Sequence, residues 1–327
     1  MHDKHTPTPL IDVQDLSVEF PTNTRGQTVK AVNQVSFKVQ AGETFGVIGE
    51  SGSGKSSLGR TLVALQSPTL GKILHDGVDM SQLSTAQLRA YRRQFQIIFQ
   101  DPSAALNPRM RVIDAVMEPL RIAGTHSAAE CRELALQAMN RVGLPAEYAS
   151  RYPHQFSGGQ KQRIIIARAL TLQPKVLVCD EVVAALDVSI RGDVLNLFAD
   201  LQREFGLTYV FITHDISVVS HISDRIAVMY LGALMELGPA EAVTERPLHP
   251  YTRALLASEP RALPSNQRQA RREVLKGEIP SPIDPPSGCV FRTRCPQATA
   301  VCAEQRPQWQ ALQPGHWVAC HHTGSSS

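Results

Sequence analysis

The sequence predicts an α/β fold in which a βαβ sheet is interrupted by a helical insertion. Short apolar runs with the composition of buried strands are separated by helical segments, at residues 44–48, 176–179, 207–213 and 225–231. Strands that alternate with helices in this way are typical of a parallel sheet. Between residues 84 and 143 the pattern becomes helical, and this stretch predicts the insertion.

The elements before the insertion follow from their local pattern. Residues 10–20 and 31–39 alternate apolar and polar side chains, which predicts two strands ahead of the first buried one. A helix is expected from about residue 55 to 65, ending near Pro68.

Later helix boundaries carry their own signals. Ser127 and Glu130 form a capping-box pattern, and Gly143 stands where a helix would stop. A longer helix is expected over residues 188–205, closed by Gly206.

The bulk composition favours a globular protein that does not bind nucleic acid. The 327 residues are 43% hydrophobic and 19% charged, with a formal net charge of +3 and no long basic run. No apolar window approaches the roughly 18 residues of a transmembrane helix, and residues 1–7 lack the apolar core of a signal peptide. We therefore expect a cytosolic protein whose contact with any membrane comes through partner proteins.

A phosphate-binding loop is predicted directly after the strand at residues 44–48. Gly49-x-x-x-x-Gly54-Lys55-Ser56 lies between a strand and a helix, the context that distinguishes a P-loop from a glycine-rich turn that happens to contain lysine. Bare glycine backbone and the helix N-terminus favour phosphate, with Lys55 reaching the outer phosphates and Ser56 offering its hydroxyl to Mg²⁺. The predicted ATP-binding residues here are Gly49, Glu50, Ser51, Gly52, Ser53, Gly54, Lys55, Ser56 and Ser57.

Two carboxylates follow the strand at residues 176–179. Asp180 is placed to hold Mg²⁺, and Glu181 to orient and polarise the attacking water. An acidic pair at a strand end can also be a helix N-cap, but its position downstream of the P-loop favours the catalytic interpretation.

A second glycine loop precedes another helix. Ser157, Gly158, Gly159 and Gln160 combine a hydroxyl, bare backbone and a helix N-terminus, which together make an anion site. Because the chain already has one phosphate-binding loop, this one predicts a second phosphate surface. Taken alone, the tetrapeptide would indicate only a capped helix start.

Together these motifs resemble the nucleotide-binding subunit of an ABC transporter. The match runs from about residue 10 to 238 and includes Gln100 after an apolar strand, Ala185-Leu186-Asp187, and His214 after another strand. The resemblance implies a P-loop NTPase fold of the ABC cassette type. Its parts would be a RecA-like core sheet, an N-terminal antiparallel β-subdomain and a helical subdomain inserted at about residues 101–170.

The resemblance also implies roles for single residues. Gln100 would contact Mg²⁺ and the water, joining Ser56 and Asp180 as the Mg²⁺ ligands. His214 would hold the γ-phosphate, completing a catalytic set with Gln100 and Glu181. Asp187 would face the opposite monomer, residues 157–160 would act on that monomer's ATP, and Phe20 is the candidate for stacking on adenine. Outside this ordered set, a lone glutamine or histidine would be a surface or core residue.

Finer segments at residues 101–109, 249–256 and 288–296 resemble the dipeptide and oligopeptide permease ATPases of bacteria. This implies the second ATPase subunit of a dipeptide-type importer, peripheral at the cytoplasmic face of the inner membrane. Its partners would be a paralogous ATPase in a heterodimer, two transmembrane permease subunits and, indirectly, a periplasmic binding protein. Relatives in this branch move nickel chelates, glutathione, opines or antimicrobial peptides, and the ATPase sequence does not select among these cargoes.

Four cysteines cluster near the C-terminus. Cys289, Cys295, Cys302 and Cys320 are spaced C-x5-C-x6-C-x17-C, and the expected cytosolic location argues against disulfides. Four thiolates can hold Zn²⁺ or an iron–sulfur cluster, although the spacing matches neither zinc-knuckle pairs nor the ferredoxin run. The resemblance implies a [4Fe-4S] cluster, with zinc and unligated thiols as alternatives. Cys131 and Cys179 are expected to be packing residues.

Two positions after Glu181 depart from the family pattern. Val182 stands where proline is usual, and Ala184 where serine or threonine is usual. Proline would stiffen the turn that presents the glutamate, so its absence predicts a looser Glu181 and slower hydrolysis. No motif is lost, which favours a competent ATPase over an ATP-binding regulatory partner with weak hydrolysis. DNA- or ribosome-directed ABC ATPases and exporters are disfavoured, because neither a coiled-coil insertion, a second cassette nor fused transmembrane helices are seen.

The expected domain organisation has three parts. Residues 8–240 form the ABC ATPase domain, residues 241–322 a C-terminal extension with the four-cysteine site, and residues 323–327 a disordered tail. Proline, serine and arginine are dense over residues 258–288, which predicts a linker or an extended wrap.

Overall fold

The computed structural model describes residues 8–24, 26–184, 186–258 and 277–323, and its strands form two sheets. The strands are β1 (Ile11–Pro21), β2 (Thr28–Val39), β3 (Thr44–Ile48), β4 (Leu70–His75), β5 (Val78–Asp79), β6 (Phe95–Ile98), β7 (Val176–Asp180), β8 (Thr208–Thr213), β9 (Arg225–Tyr230), β10 (Ala233–Pro239), β11 (Gln310–Gln313) and β12 (His316–Val318). The helices are α1 (Lys55–Leu62), α2 (Thr85–Gln94), α3 (Pro102–Ala105), α4 (Val112–Ala123), α5 (Ala128–Arg141), α6 (Gly158–Leu170), α7 (Val188–Phe205), α8 (Ile216–Ile222), α9 (Ala240–Glu245), α10 (Pro250–Ser258) and α11 (Ala300–Glu304).

A four-stranded antiparallel sheet, in the order β2-β1-β4-β5, covers one side of the core. Its inward side chains form one apolar cluster with the strands of the larger sheet, and Phe37 stacks on Phe45 of β3 with ring centroids 4.9 Å apart. The alternation that predicted β1 and β2 therefore reflects burial on one face of this sheet. The strand expected at residues 31–39 begins earlier, at Thr28.

The eight-stranded sheet has the order β11-β12-β10-β9-β3-β8-β7-β6. Strands β9, β3, β8, β7 and β6 run parallel, with β3 between β8 and β9. Because parallel strands end at one sheet edge, the loops after β3, β6, β7 and β8 gather there, where open α/β sheets bind ligands.

One side of this sheet is antiparallel, which the strand pattern alone did not predict. Leu231 and Gly232 have φ angles of 44° and 78°, and this left-handed pair reverses the chain between β9 and β10. Two central residues with positive φ are typical of a tight hairpin turn.

Helices α3 to α6 form the helical insertion, between β6 and β7, whereas the helical pattern expected over residues 84–143 is interrupted by β6 of the larger sheet. Helix α4 packs against both α5 and α6, and their apolar faces join the cluster that also lies under the sheet. The capping box at Ser127 and Glu130 is present at the start of α5. Helix α1 ends at Leu62, earlier than expected, and Ala64 just beyond it has a left-handed φ of 59°.

The C-terminal extension continues the larger sheet. In β12, Val318 pairs with Glu236 of β10, and the buried Glu236 carboxylate lies 2.7 Å from His316 Nε2. The same carboxylate accepts the backbone N–H groups of Leu248 and His249, so its buried charge is compensated.

Other expectations for the C-terminal part are tested only where the structure describes it. Most of the predicted linker, residues 259–276, lies outside the described residues, as do residues 324–327 of the predicted tail. Within the described part of the predicted linker or wrap, the carbonyl oxygen of Pro282 accepts a hydrogen bond from the Lys30 N–H of β2. Among the described helices, none is long and apolar enough to cross a membrane.

Candidate functional site

The loop after β3 needs glycine for two separate reasons. Gly54 has a φ of +100°, and a Cβ there would lie 1.9 Å from the carbonyl oxygen of Ala31. Gly49 meets Met229 in the same way, with its Cβ position 2.2 Å from that carbonyl oxygen. Both the left-handed conformation and the close backbone approach exclude a side chain, so the predicted loop is also packed tightly against β2 and β9.

The Lys55 side chain is buried beneath this loop. Its Nζ donates to the carbonyl oxygens of Gly49 and Glu50, at 2.7 and 2.9 Å. Burial lowers the pKa of Lys55, and the nearby carboxylates of Glu181, Asp180 and Glu50 oppose that shift. A cation is thus held among loop oxygens, in the position the motif assigns to the lysine that reaches outer phosphates.

Two oxygen donors converge at the start of α1. Ser56 Oγ donates to Asp180 Oδ1 across 3.0 Å, joining the P-loop to the end of β7. Burial raises the pKa of Asp180, the Ser56 hydrogen bond opposes this, and the Glu181 charge adds to it. Hydroxyl and carboxylate oxygens are ligands that Mg²⁺ accepts, so this pair fits the predicted metal role.

Gln100, the third predicted Mg²⁺ ligand, is at the right sheet edge but not in contact. It follows β6, whose last residue Ile98 pairs with Cys179, so Gln100 and Asp180 lie at the ends of neighbouring strands. Its side chain is exposed, and within the described ranges no hydrogen bond joins it to Ser56 or Asp180. Its role as a ligand stays a prediction.

Glu181 and His214 meet at the ends of β7 and β8. Glu181 Oε1 lies 3.2 Å from His214 Nδ1, and the Glu181 N–H donates to Ile212 of β8 at 2.8 Å. The Glu181 side chain is 19% exposed and that of His214 is 56% exposed. A shielded carboxylate beside an accessible imidazole is a suitable pair for orienting and deprotonating a water molecule.

The turn after Glu181 lacks the expected proline at Val182 and is held instead by side-chain burial and a backbone hydrogen bond. Val182 and Val183 are both buried in the apolar core, and the Ala184 N–H donates to the Glu181 carbonyl at 3.1 Å. Glu181 itself has a left-handed φ of 53°. Whether Val182 slows hydrolysis stays a prediction, and Ala185 lies outside the described residues.

The second glycine loop forms a capping box at the start of α6. Ser157 Oγ accepts the Gln160 N–H at 3.3 Å, and Gln160 Oε1 accepts the Ser157 N–H at 3.0 Å. Gly159 is buried, with its Cβ position 2.6 Å from Ile190, whereas Ser157 and Gly158 are exposed. No hydrogen bond among the described residues joins this loop to the P-loop, so the chain presents its two phosphate surfaces separately.

Two further predicted residues lie apart from this group. Asp187 is the exposed residue that precedes α7, and its side chain makes no capping hydrogen bond. Phe20 is half-buried in β1, where it pairs with Val29 and packs against the core of the antiparallel sheet. Their roles towards a second monomer and towards adenine stay predictions.

The P-loop also has two contacts that sequence reasoning missed. Arg294 forms a bidentate ion pair with Glu50, with N–O distances of 2.7 and 3.1 Å. The Glu50 N–H donates to the hydroxyl oxygen of Tyr251 at 3.0 Å. The sequence contained only an indirect signal for these contacts, because Tyr251 and Arg294 lie in two of the segments that resembled peptide permease ATPases.

The four C-terminal cysteines lie near one another. Cys289, Cys302 and Cys320 are buried and Cys295 is half-buried. Burial raises the pKa of the Cys289 thiol to about 11, and the other three thiols add to this rise. Thiols are ligands that soft metal centres prefer, so these four remain the candidate donors.

The arrangement does not, however, show a formed metal site. Across residues 8–24, 26–184, 186–258 and 277–323, no three cysteine, histidine or acidic side chains stand close enough to bind one metal ion. The iron–sulfur cluster and the zinc alternative both stay predictions. Cys131 and Cys179 are both buried within the main apolar cluster, as the packing interpretation predicts.

Three features of the fold define an ATP-binding cassette of the ABC type. They are the P-loop on a central parallel strand, the acidic pair on the next strand but one, and the helical insertion that carries a second glycine loop. Two family models match the chain: "ABC transporter" at residues 32–184, and "Oligopeptide/dipeptide transporter, C-terminal region" at residues 235–302. A putative oligopeptide transport ATP-binding protein of Bacillus subtilis, YkfD, is 51% identical over 96% of this chain and 95% of its own length. The oligopeptide transport ATP-binding protein OppF of Haemophilus influenzae is 49% identical over 95% and 96%, respectively.

A solved structure is similar over the cassette. A dimeric ATP-binding cassette in a post-hydrolysis state, bound to ADP and Pi, superposes with a TM-score of 0.63 and 29% identity, covering 70% of this chain and 98% of the other. The chain belongs to the ATP-binding proteins of the ABC transporter family, in the oligopeptide/dipeptide branch, and it is an ATPase. The predicted family and fold class are confirmed.

Proposed function

We propose that this chain hydrolyses ATP to power peptide import through membrane permease subunits, acting as a peripheral subunit at the inner membrane. The observation that carries this proposal is the pairing of Glu181 with His214 beside the Ser56–Asp180 pair and Lys55. The relatives named for oligopeptide transport support peptides as the cargo class. Nickel chelates, glutathione, opines and antimicrobial peptides are the competing cargoes.

The residues of the site divide the chemistry between them. Backbone N–H groups of the P-loop and the Lys55 ammonium would bind the phosphates, and Ser56, Asp180 and Gln100 would hold Mg²⁺. Bound Mg²⁺ supplies charge neutralisation between phosphate oxygens. Glu181, kept in place by His214, would accept a proton from a water molecule while the oxygen of that water bonds to the γ-phosphorus. The bond from that phosphorus to the bridging oxygen of ADP then breaks, giving ADP and phosphate.

The second glycine loop would serve a partner's nucleotide. Ser157 and Gly158 are exposed at the N-terminus of α6, where backbone N–H groups and the helix dipole favour an anion. The related cassette of known structure is a dimer, and the exposed Asp187 is available for the same interface. We infer a heterodimer with a paralogous ATPase, built on a cassette of residues 8–240 and an extension of residues 241–322.

A groove between the sheet and the helical insertion is the proposed permease contact. It encloses about 980 Å³, and Phe99, Ile122 and Ile165 are among the apolar residues that line it. Ile122 is 79% exposed. The cationic part of its lining is Arg89, Arg92, Arg93 and Arg168. An apolar floor with basic groups beside it is complementary to a short amphipathic helix that carries acidic residues, and we propose that a cytoplasmic loop of a permease subunit supplies it.

Ile122→Glu is expected to abolish labelled-oligopeptide uptake by the transporter reconstituted with its permeases and binding protein. A carboxylate at this exposed lining residue has to be desolvated under a docked helix, so docking weakens by about tenfold or more. The control is Leu70→Glu, which places the same charge at an exposed apolar residue of β4. Equal uptake by the Ile122 variant and wild type would contradict the groove assignment. A wild-type transporter that hydrolyses ATP without taking up peptide would contradict the cargo assignment.

We further infer that Cys289, Cys295, Cys302 and Cys320 bind a [4Fe-4S] cluster. The support is the presence of four cysteines within 32 residues and the match of residues 235–302 to the C-terminal family model. Anaerobically purified full-length chain is expected to contain about four irons and four acid-labile sulfides, and Cys302→Ser to lose most of both. The control, Cys131→Ser, removes a buried thiol outside this group and should keep them. A colourless, iron-free protein with full activity would contradict the inference.

A further inference from the structure

The C-terminal lobe, residues 277–323, holds Arg294 in a tightly packed turn. Gly288, with a φ of +64°, packs so closely on Cys302 that a Cβ there would lie 2.4 Å from its carbonyl oxygen. The Cys289 N–H donates to that same carbonyl, and the Arg294 N–H donates to Phe291 at 3.0 Å. Arg294 therefore belongs to a tight turn that is closed onto the four-cysteine group.

This turn is anchored on the cassette by aromatic packing. The Phe291 side chain is fully buried, and its ring lies 5.3 Å from both the Tyr230 and Tyr251 rings. Tyr230 ends β9, next to the P-loop strand β3. The lobe is thus packed directly beside the phosphate-binding loop.

From this position Arg294 reaches the P-loop. Its two terminal nitrogens bind both carboxylate oxygens of Glu50, and one also lies 3.4 Å from the Tyr230 hydroxyl. The Arg294 side chain is 5% exposed and that of Glu50 is 22% exposed. A bidentate guanidinium–carboxylate pair shielded from water is both stronger and more directional than a surface ion pair.

Glu50 is held through its carboxylate, its N–H and its carbonyl oxygen, which also accepts the Ser53 N–H at 3.2 Å. Arg294 binds its carboxylate, Tyr251 accepts its N–H, and Lys55 donates to its carbonyl at 2.9 Å. Glu50 therefore links the C-terminal lobe, through its carboxylate, to the lysine of the ATP site, through its backbone carbonyl. Without Arg294, the carboxylate would be an uncompensated negative charge close to Lys55 and to the phosphates of ATP.

We propose that Arg294 is a positioning residue of the ATP site, which neutralises Glu50 and orients it so that the P-loop accepts phosphate. The C-terminal lobe thereby sets the affinity for ATP, in addition to whatever its cysteines bind. The proposal concerns nucleotide binding and does not depend on the nature of the cargo or of the thiol ligand.

The test is Arg294→Met in the full-length chain, titrated with a non-hydrolysable ATP analogue and Mg²⁺. We expect the dissociation constant to rise about five- to tenfold, because a charge-assisted pair is lost and a carboxylate is left facing phosphate. In the assembled transporter the KM for ATP should rise similarly while kcat at saturating ATP changes little. Arg294→Lys keeps the charge without the bidentate geometry, so its dissociation constant should lie between those of wild type and Arg294→Met.

Two further variants separate positioning from general damage to the lobe. Arg292→Met alters the same turn. Among the described residues the Arg292 side chain donates only to the oxygen atoms of Ser287, so this variant should keep the dissociation constant within about twofold of wild type. Glu50→Gln combined with Arg294→Met should recover much of the lost affinity, because the uncompensated charge is gone. Wild-type affinity in Arg294→Met, or equal losses in the Arg292 and Arg294 variants, would overturn the proposal.

Discussion

Glu181→Gln is expected to lower ATP hydrolysis by the assembled transporter by about two to four orders of magnitude while ATP binding persists. The amide keeps the shape of the side chain at the end of β7, but it cannot accept a proton from the attacking water. Lys55, Ser56 and Asp180 are unchanged by this substitution, so ATP should be retained and the ATPase dimer stabilised. The measurements are the steady-state rate, the ATP bound per transporter after gel filtration, and the size of the ATPase pair.

The control for this variant is Glu204→Gln. Glu204 is an exposed carboxylate at the end of α7, 3.9 Å from Arg141, and its loss should leave the rate near wild type. Wild-type turnover in Glu181→Gln would show that another group accepts the proton. A loss of both hydrolysis and ATP binding would contradict the assignment of Glu181 to the chemical step.

Ser157→Arg is expected to reduce hydrolysis by the assembled transporter about a hundredfold or more, because an oriented group at the partner's γ-phosphate is lost. The substitution also breaks the capping box of α6, but a lost cap costs only about 1 kcal/mol of stability. The bulk and misplaced charge at the exposed loop, rather than unfolding, should therefore dominate.

Ser127→Arg is the matched control for Ser157→Arg. Ser127 makes the same capping box at the exposed start of α5, outside both predicted phosphate-binding loops. Its substitution should cost similar stability and leave the ATPase rate within about twofold of wild type. Equal losses of activity in the two variants would attribute the Ser157 effect to helix fraying.

The local motifs were predictable because each depends on neighbours in sequence. The P-loop, the acidic pair and the capping boxes all combine a few adjacent residue types with a strand or helix boundary. The structure adds why they are needed, as at Gly54, whose close contact with Ala31 involves a strand that no motif mentions.

Features that depend on distant parts of the chain were not predictable in this way. Arg294 and Glu50 are 244 residues apart, and an ion pair of this kind produces no periodic pattern in either segment. The reversal at Leu231 and Gly232 was missed because a left-handed leucine gives no turn signal by residue type. The pairing of β12 with β10 likewise depends on a contact across most of the C-terminal extension.

We infer that the Ser157–Gln160 loop does not belong to this chain's own ATP site. The direct measurement is equilibrium binding of a non-hydrolysable ATP analogue to the isolated full-length chain, at concentrations where it is monomeric. We expect wild-type affinity for Ser157→Arg and at least about a tenfold loss for Lys55→Ala, which removes the buried ammonium under the P-loop. If Ser157→Arg weakened binding as much as Lys55→Ala does, the loop would be part of the chain's own ATP site after all.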